Sequence, residues 1–371
     1  MKSESSQLLS VRMADSVRSR YLPGMMVWHY EHGLVIRAVA EVGERIGDPS
    51  FFDWAHAMYS PLVSEDGTIA TYRHGEYNLD QIQAGRFLFA LHDRTREKRF
   101  LLAAEKLKGQ LRSQPRTLTG IFWHKEIYPW QVWLDGLYMQ GPFNALYAVR
   151  NNDQGALDDL VEQMVKTSRI LRDGKTGLLF HAWDESRGQR WSSPDTGLSP
   201  HIWGRALGWF IMAVIDVIGI LPPGHAGRVR LEALVPGLLD PVLACQTFAG
   251  LWWQVMDVGE RDGNYLETSG SAMFTYALQR AASLGLASDT ARYLAAADKA
   301  LDALVRTRLR EEPSGELHLG GICSVAGLGG NPYRDGSFPY YIKEPVVEDD
   351  FKGVGPFILA LVEQEKRRTM L

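Results

Sequence analysis

The sequence predicts an all-α protein, an (α/α)6 barrel in which six inner helices are ringed by six outer ones, with short β-hairpins in the loops. Three observations lead there. Along 371 residues two kinds of helical stretch alternate: one is amphipathic with charged faces, the other rich in small residues and apolar nearly all round. A helix apolar on every face has to be buried on every side, and glycines at its start let neighbouring backbones converge. Strand signals are sparse and fall between the helices. The pairs recur at a period of roughly 50 to 80 residues, with weak self-similarity where inner helices begin. An open superhelix of helical pairs competes, but its repeats run shorter and more regular.

Taken in order, the outer helices are expected at Ser5 to Arg18, Phe51 to Tyr59, Arg96 to Arg112, Asp153 to Leu171, Arg228 to Thr247 and Asp289 to Leu309. The inner ones are expected at Glu31 to Arg45, Asp80 to His92, Leu134 to Arg150, Trp203 to Ile218, Glu267 to Leu284 and Asp350 to Glu363. Short ribbons are expected at Thr68 to Tyr72, Gly177 to Trp183 and Gly250 to Val255, where β-branched and aromatic residues cluster. No Pro/Ser-rich linker interrupts the series, so the chain reads as one domain. That length often means two, but a closed barrel holds one core of this size.

Bulk composition narrows the function. Hydrophobic content of 45% and charged content of 23% are those of a soluble globular protein. A formal net charge of -4 gives no basic field for nucleic acid, and no basic run suggests a membrane surface. Cys245 and Cys323 are too few for a disulfide framework and lack metal-site spacing. Met1 to Arg20 carries no apolar core of a signal peptide, and no window of eighteen residues is uninterruptedly apolar. A cytoplasmic enzyme is expected, a monomer or weak dimer. Eleven tryptophans suit either sugar stacking or a large helical core.

One stretch, Phe122 to Met139, packs three tryptophans, two tyrosines, a histidine, a lysine and two carboxylates into eighteen residues. Pro129 breaks the chain into a loop, and from Trp133 the apolar spacing turns helical. A loop of aromatic and titratable groups that delivers an acid to a helix start is how polar-substrate pockets are built. The plainer alternative is a tryptophan core plug with Asp135 as a helix cap.

If the inner helices share a mouth, their leading residues meet there: His29 and Tyr30; Asn78 and Asp80; His124, Lys125 and Asp135; His201, Trp203, Arg205 and Trp209; Glu267; and Asp349, Asp350 and Lys352. His181 and Trp183 come from a preceding hairpin. Taken singly, Asp80, Asp349 and Asp350 sit where N-caps sit, His29 and His201 could be core histidines, and Lys352 could be solvated at the rim. Together, Asp80 and Asp135 would repel within tryptophan walls, which raises a carboxyl pKa and suits one of them to donate a proton. Arg205 and Lys125 offer cations for an anionic group, arginine with a two-bond grip.

Several motifs give the chain a family resemblance: Tyr77-Asn78-Leu79-Asp80, Phe122-Trp123-His124-Lys125, Trp133-Leu134-Asp135-Gly136-Leu137-Tyr138-Met139, Trp203-Gly204-Arg205-Ala206-Leu207-Gly208-Trp209 and Asp350-Phe351-Lys352-Gly353-Val354-Gly355-Pro356. In combination, across nearly the whole length, it resembles the unsaturated rhamnogalacturonyl hydrolases of glycoside hydrolase family 105, relatives of the unsaturated glucuronyl hydrolases of family 88. Leu207 stands where that family more often has asparagine. The resemblance implies an (α/α)6 barrel without metal or organic cofactor. It also implies action on an unsaturated uronic-acid oligosaccharide left by a pectin lyase. Asp135 would be the general acid and base, protonating C4 of the enol ether before water adds at C5. Asp80 would bind sugar hydroxyls and tune Asp135. His29, Tyr30, His124, Lys125, Tyr128, Arg205 and Trp209 match substrate-contacting positions. His181 and Trp203 would line the same cleft, and the loop from Gly329 to Asp335, with Asn331, would touch the rim.

Three alternatives stay open at this stage. One is an unsaturated glucuronyl hydrolase acting on glycosaminoglycan or ulvan fragments. Another is an inverting glycosidase on saturated sugars, pairing Asp80 or Glu267 with Asp135. The third is a sugar-binding scaffold without catalysis.

Overall fold

The computed structural model describes residues 8–369. Six inner helical segments close a ring. They are α2 (Tyr30–Ile46), a pair of 3-10 turns leading into α4 (Leu88–Thr95), α6 (Leu134–Arg150), α8 (Gly204–Ile220), α11 (Thr268–Ser283) and α14 (Phe351–Arg368). Each packs on the next, and α14 returns to α2. Outside them lie α1 (Leu9–Arg20), α3 (Pro49–Tyr59), α5 (Lys98–Ser113), α7 (Gln154–Ile170), α9 (Ala226–Glu232) with α10 (Val235–Ala244), and α12 (Thr290–Arg308). The fold is the (α/α)6 barrel that the alternation predicts.

Burial explains the alternation. In α8 every residue from Gly204 to Ile218 is buried, whereas α12 buries only Tyr293, Ala296, Ala297, Ala300, Leu301, Ala303 and Leu304, a stripe of helical period along one face. One hydrophobic cluster runs through all the inner helices. The glycines do bring backbones together. A Cβ added at Gly33 of α2 would lie 2.5 Å from the Ala84 Cα, so Gly33→Ala has to push two inner segments apart. A loss of roughly 1–3 kcal/mol is expected from such overpacking, measurable as a lowered urea midpoint; an unchanged midpoint would contradict the close approach.

The structure departs from the expected elements in several places. The helix expected from Asp80 starts as 3-10 turns at Leu79–Gln81 and Gln83–Phe87 and becomes α-helical only at Leu88. Tighter winding is common at helix N-termini, and here it carries Ala84 against Gly33. The outer stretch expected from Arg228 to Thr247 splits into α9 and α10. Pro236 falls in the first turn of α10, where its missing N–H leaves no bond unmade. The first expected helix is seen from Leu9; its Ser5 start lies outside the described residues.

The ribbons are corrected most. Thr68 to Tyr72 forms no strand, only a bridge from Ile69 to Val63, and Gly250 to Val255 contributes isolated bridges from Trp253 and Val255. Only the end of the ribbon expected at Gly177 to Trp183 becomes a strand, β2 (Ala182–Asp184), paired antiparallel with β1 (Gln131–Trp133). Not expected from the sequence were the hairpin of β3 (Leu309–Glu311) and β4 (Leu317–Leu319), the pair β5 (Ile322–Cys323) with β6 (Val346–Val347), and the short α13 (Phe338–Lys343). All of these lie in the long connection between α12 and α14, which folds over the ring. Among the described residues no helix is long and apolar enough to cross a membrane.

Candidate active site

The inner segments bring their starts together, as their side-chain contacts show. His29, just before α2, has Nε2 4.0 Å from Asp80 Oδ2. Lys352 at the start of α14 reaches Glu31 of α2 at 2.7 Å. A Cβ on Gly270 of α11 would touch the backbone of Gly204 and Arg205 in α8.

Asp135 stands in the first turn of α6, where the positive end of the helix dipole favours a carboxylate. It caps nothing: the N-cap position is Trp133, without a side-chain cap bond. Its Oδ2 is buried and has no hydrogen-bond partner among the described residues. The β1–β2 pairing sets Trp133 opposite Ala182, and the Leu134 N–H donates to the His181 carbonyl at 3.1 Å. The imidazole of His181 is thereby delivered to Asp135, its Nε2 3.4 Å from Oδ2. His181 is fully buried, and its Nδ1 lies 2.7 Å from the Tyr341 hydroxyl.

Asp80 has a different setting. The Asn78 side chain accepts its N–H, so Asn78, not Asp80, holds the turn. Lys125 Nζ sits 2.6 Å from Asp80 Oδ2 and His124 Nε2 3.5 Å from Oδ1. Burial alone would raise this carboxyl, but Lys125, with His124 and His29, outweighs it and holds Asp80 well below the usual carboxylate range. Asp80 is therefore a fixed anion, not a group sharing a proton with Asp135. Burial pushes His124 down to about 4, against the opposing pull of Asp80, so its ring is neutral around neutral pH.

Aromatic rings wall the mouth. His124, Trp133 and Tyr128 form a stack, with centroids 4.8 Å and 4.9 Å apart and interplanar angles of 12° and 15°. Trp133 also joins Ala182, Trp191 and Leu328 in a small second core. The plug reading is thus half right, because Trp133 is packed away while His124 and Tyr128 use its faces as support. Tyr30 meets Trp209 edge-on, and Trp209 stacks on Tyr138. Trp209 is itself buried and backs Tyr30. Leu207 belongs to the apolar core.

The cations are engaged. Arg205 is 1% exposed. Its Nη1 donates to Ser269 Oγ at 3.3 Å and to the Cys323 carbonyl, its Nη2 to the Ser324 carbonyl at 3.4 Å, and it lies over the Trp203 ring. The two-bond grip on a substrate carboxylate expected from the sequence is not available in this conformation. What the guanidinium offers is its positive field and the unpartnered Nε–H. Lys352 is buried between Glu31 and Asp350, a correction to the solvated-rim reading. Asp350 does cap α14, through the Lys352 N–H. Asp349 does not; it takes His318 and Arg20. Neither histidine is a core histidine: His29 and His201 are partly exposed, and His201 pairs with Asp257 at 2.7 Å.

Glu267 is the N-cap of α11. It accepts from the N–H groups of Ser269, Gly270 and Cys323 and from the Ser269 hydroxyl, which leaves it no part in a catalytic pair. In the rim loop, Arg334 donates to Tyr128 Oη at 2.8 Å, while Asn331 is exposed at the tip. The sequence reading missed Tyr341, whose hint was the aromatic run Phe338-Pro339-Tyr340-Tyr341, and named the rim loop that holds Arg334 without singling that residue out.

A helical barrel whose mouth holds one unengaged acid among aromatic rings, anions and histidines is the architecture of a glycoside hydrolase. The chain matches the Glycosyl Hydrolase Family 88 model over residues 7–368. It is 42% identical to a Clostridium acetobutylicum glycoside hydrolase from family 105, with a TM-score of 0.93, covering 97% of this chain and 100% of that one. Protein Atu3128 of Agrobacterium fabrum is 46% identical over 226 residues, 60% of this chain and 96% of that protein. The unsaturated rhamnogalacturonyl hydrolase YesR of Bacillus subtilis is 25% identical over 276 residues, 73% of this chain and 75% of that enzyme. The chain therefore belongs to the group of glycoside hydrolases that the family 88 model describes, and within it to family 105.

Proposed function

We propose that the protein removes the terminal 4,5-unsaturated galacturonic acid from oligosaccharides left by rhamnogalacturonan lyases. The observation that carries this reading is the state of the carboxylates at the mouth. Asp80 is tied to Lys125, Glu267 caps α11, and Glu31 and Asp350 hold Lys352. Asp135 alone of these five is left without a hydrogen-bond partner on a buried oxygen. Ordinary glycosidases need two working carboxyl groups, whose separation sets the stereochemical course. Hydration of an enol ether needs one.

Asp135 would give its proton to C4, leaving positive charge shared by C5 and the ring oxygen. The resulting carboxylate would take a proton from water as the oxygen of that water bonds to C5. The hemiketal then opens and the neighbouring sugar is released. Asp80 would accept hydrogen bonds from sugar hydroxyls, with Tyr30, Tyr128, Lys125 and His29 lining the entrance and Trp203 and Arg205 behind them. The setting is read as cytoplasmic and the protein as a monomer or weak dimer, since a closed barrel of this size buries its core unaided.

The test is ultraviolet absorbance of the conjugated double bond. It should fall steadily on a lyase digest of rhamnogalacturonan and much more slowly on a chondroitin digest. Release of sugar from a saturated oligosaccharide with the unsaturated one untouched would overturn the proposal; preference for the chondroitin digest would move the substrate to glycosaminoglycans.

A further inference from the structure

We infer that Tyr341 is a positioning residue: by donating its hydroxyl proton to His181 Nδ1, it holds that imidazole neutral with Nε2–H turned on Oδ2 of Asp135. The inference rests on Asp135 being the acid and base, and it adds a group from the far end of the chain. Tyr341 lies in α13, about 160 residues from its partner, and is fully buried. Its hydroxyl has one hydrogen-bond partner among the described residues, His181 Nδ1 at 2.7 Å. A buried hydroxyl proton left without an acceptor is costly, so the phenol donates and Nδ1 carries the lone pair. Burial also drives the Tyr341 phenol well above its ordinary range, with smaller contributions from Tyr340, Asp135, Asp257 and Cys323, so it keeps its proton.

With Nδ1 an acceptor, the neutral ring bears its hydrogen on Nε2, 3.4 Å from Asp135 Oδ2. The rings of Trp133 and Trp203 flank it. The titratable groups facing this pair are Asp135 on α6, Tyr341 and Tyr340 on α13, His124 in the loop before β1, Asp257, and Cys323 on β5. Neither Nε2 nor Oδ2 has a hydrogen-bond partner among the described residues, so at 3.4 Å an Nε2–H favours the carboxylate through its dipole across a long contact and leaves the transferable proton to Oδ1. The backbone fixes the relay as well: Gln254 donates to the Tyr341 carbonyl at 3.3 Å and accepts from Trp203 Nε1 at 3.0 Å. The long α12–α14 connection thereby sets the acid strength of a residue on α6.

The test uses Tyr341→Phe in the full chain. Without the phenol, His181 can carry its hydrogen on Nδ1 and present a lone pair at Nε2, which accepts from protonated Asp135 and favours the acid form. The alkaline limb of kcat/KM on the rhamnogalacturonan digest should therefore move up, by about one pH unit at most, since the contact is longer than a full charge-assisted hydrogen bond, which is worth roughly that much. A lower rate with the limb unmoved, or moved down, would make Tyr341 mere packing. Nitrogen-15 NMR of the imidazoles in the wild-type chain, with His181→Gln for assignment, decides independently of turnover and of whether the variant folds. Nε2 should be protonated and Nδ1 bare; a proton on Nδ1 would overturn the inference. If the wild-type chain consumes no unsaturated substrate, the proposed function fails while the NMR result still judges the tautomer.

Discussion

Asp135→Asn is expected to lower kcat on unsaturated substrate by on the order of a thousandfold or more while leaving binding nearly intact, since general acid–base transfer is worth about 10²–10⁴. The replacement is close to isosteric. It takes away only the proton that moves, because Asp135 caps no backbone N–H of α6 and its buried Oδ2 accepts no hydrogen bond of standard geometry. The amide can still face His181. Loss of kcat with little change in substrate affinity is the signature of an interaction made only in the transition state. Single-turnover absorbance with enzyme in excess, beside calorimetric titration of the variant, separates the two quantities. More than a tenth of wild-type turnover in the variant would remove Asp135 from its role, and a large loss of affinity would make it a binding group.

The sequence made the barrel legible because helices buried on all sides and helices buried on one side differ in composition, and that difference survives in α8 and α12 as seen. It also brought His29, Asp80, Lys125 and His181 to one mouth, because each precedes or opens an inner segment or its hairpin. What it could not show was pairing. Nothing in the spacing of Asp80 and Lys125 says that one neutralises the other, nor that Arg205 spends its donors on the carbonyls of Cys323 and Ser324. These depend on how loops fold back across the ring. The connection between α12 and α14 is the extreme case. Its residues, Tyr341 among them, come to the site from beyond any helical period, so periodicity carries no trace of them.

Lys125→Met should destabilise the fold by about 3 kcal/mol near neutral pH, the cost of leaving a buried charge without its partner, and the deficit should shrink in acid. Burial raises the Asp80 carboxyl and Lys125 is the largest influence lowering it. In the wild type the folded value lies below the unfolded one of about 4. The pair therefore contributes stability above that pH, and the contribution is lost as pH falls through the folded value. Without Lys125 the sign reverses. Burial then dominates, His124 being neutral, and the folded Asp80 pKa rises above the unfolded one. The variant pays for an unpaired anion at neutral pH and escapes that cost once Asp80 takes a proton. Urea midpoints of wild type and variant should thus differ most near pH 7 and less near pH 4, and converge only as pH falls through the folded Asp80 value of the wild type. A deficit of the same size at both would mean that Lys125 acts elsewhere, as through its ammonium over the Tyr128 ring, and that Asp80 is not held as an anion by its charge.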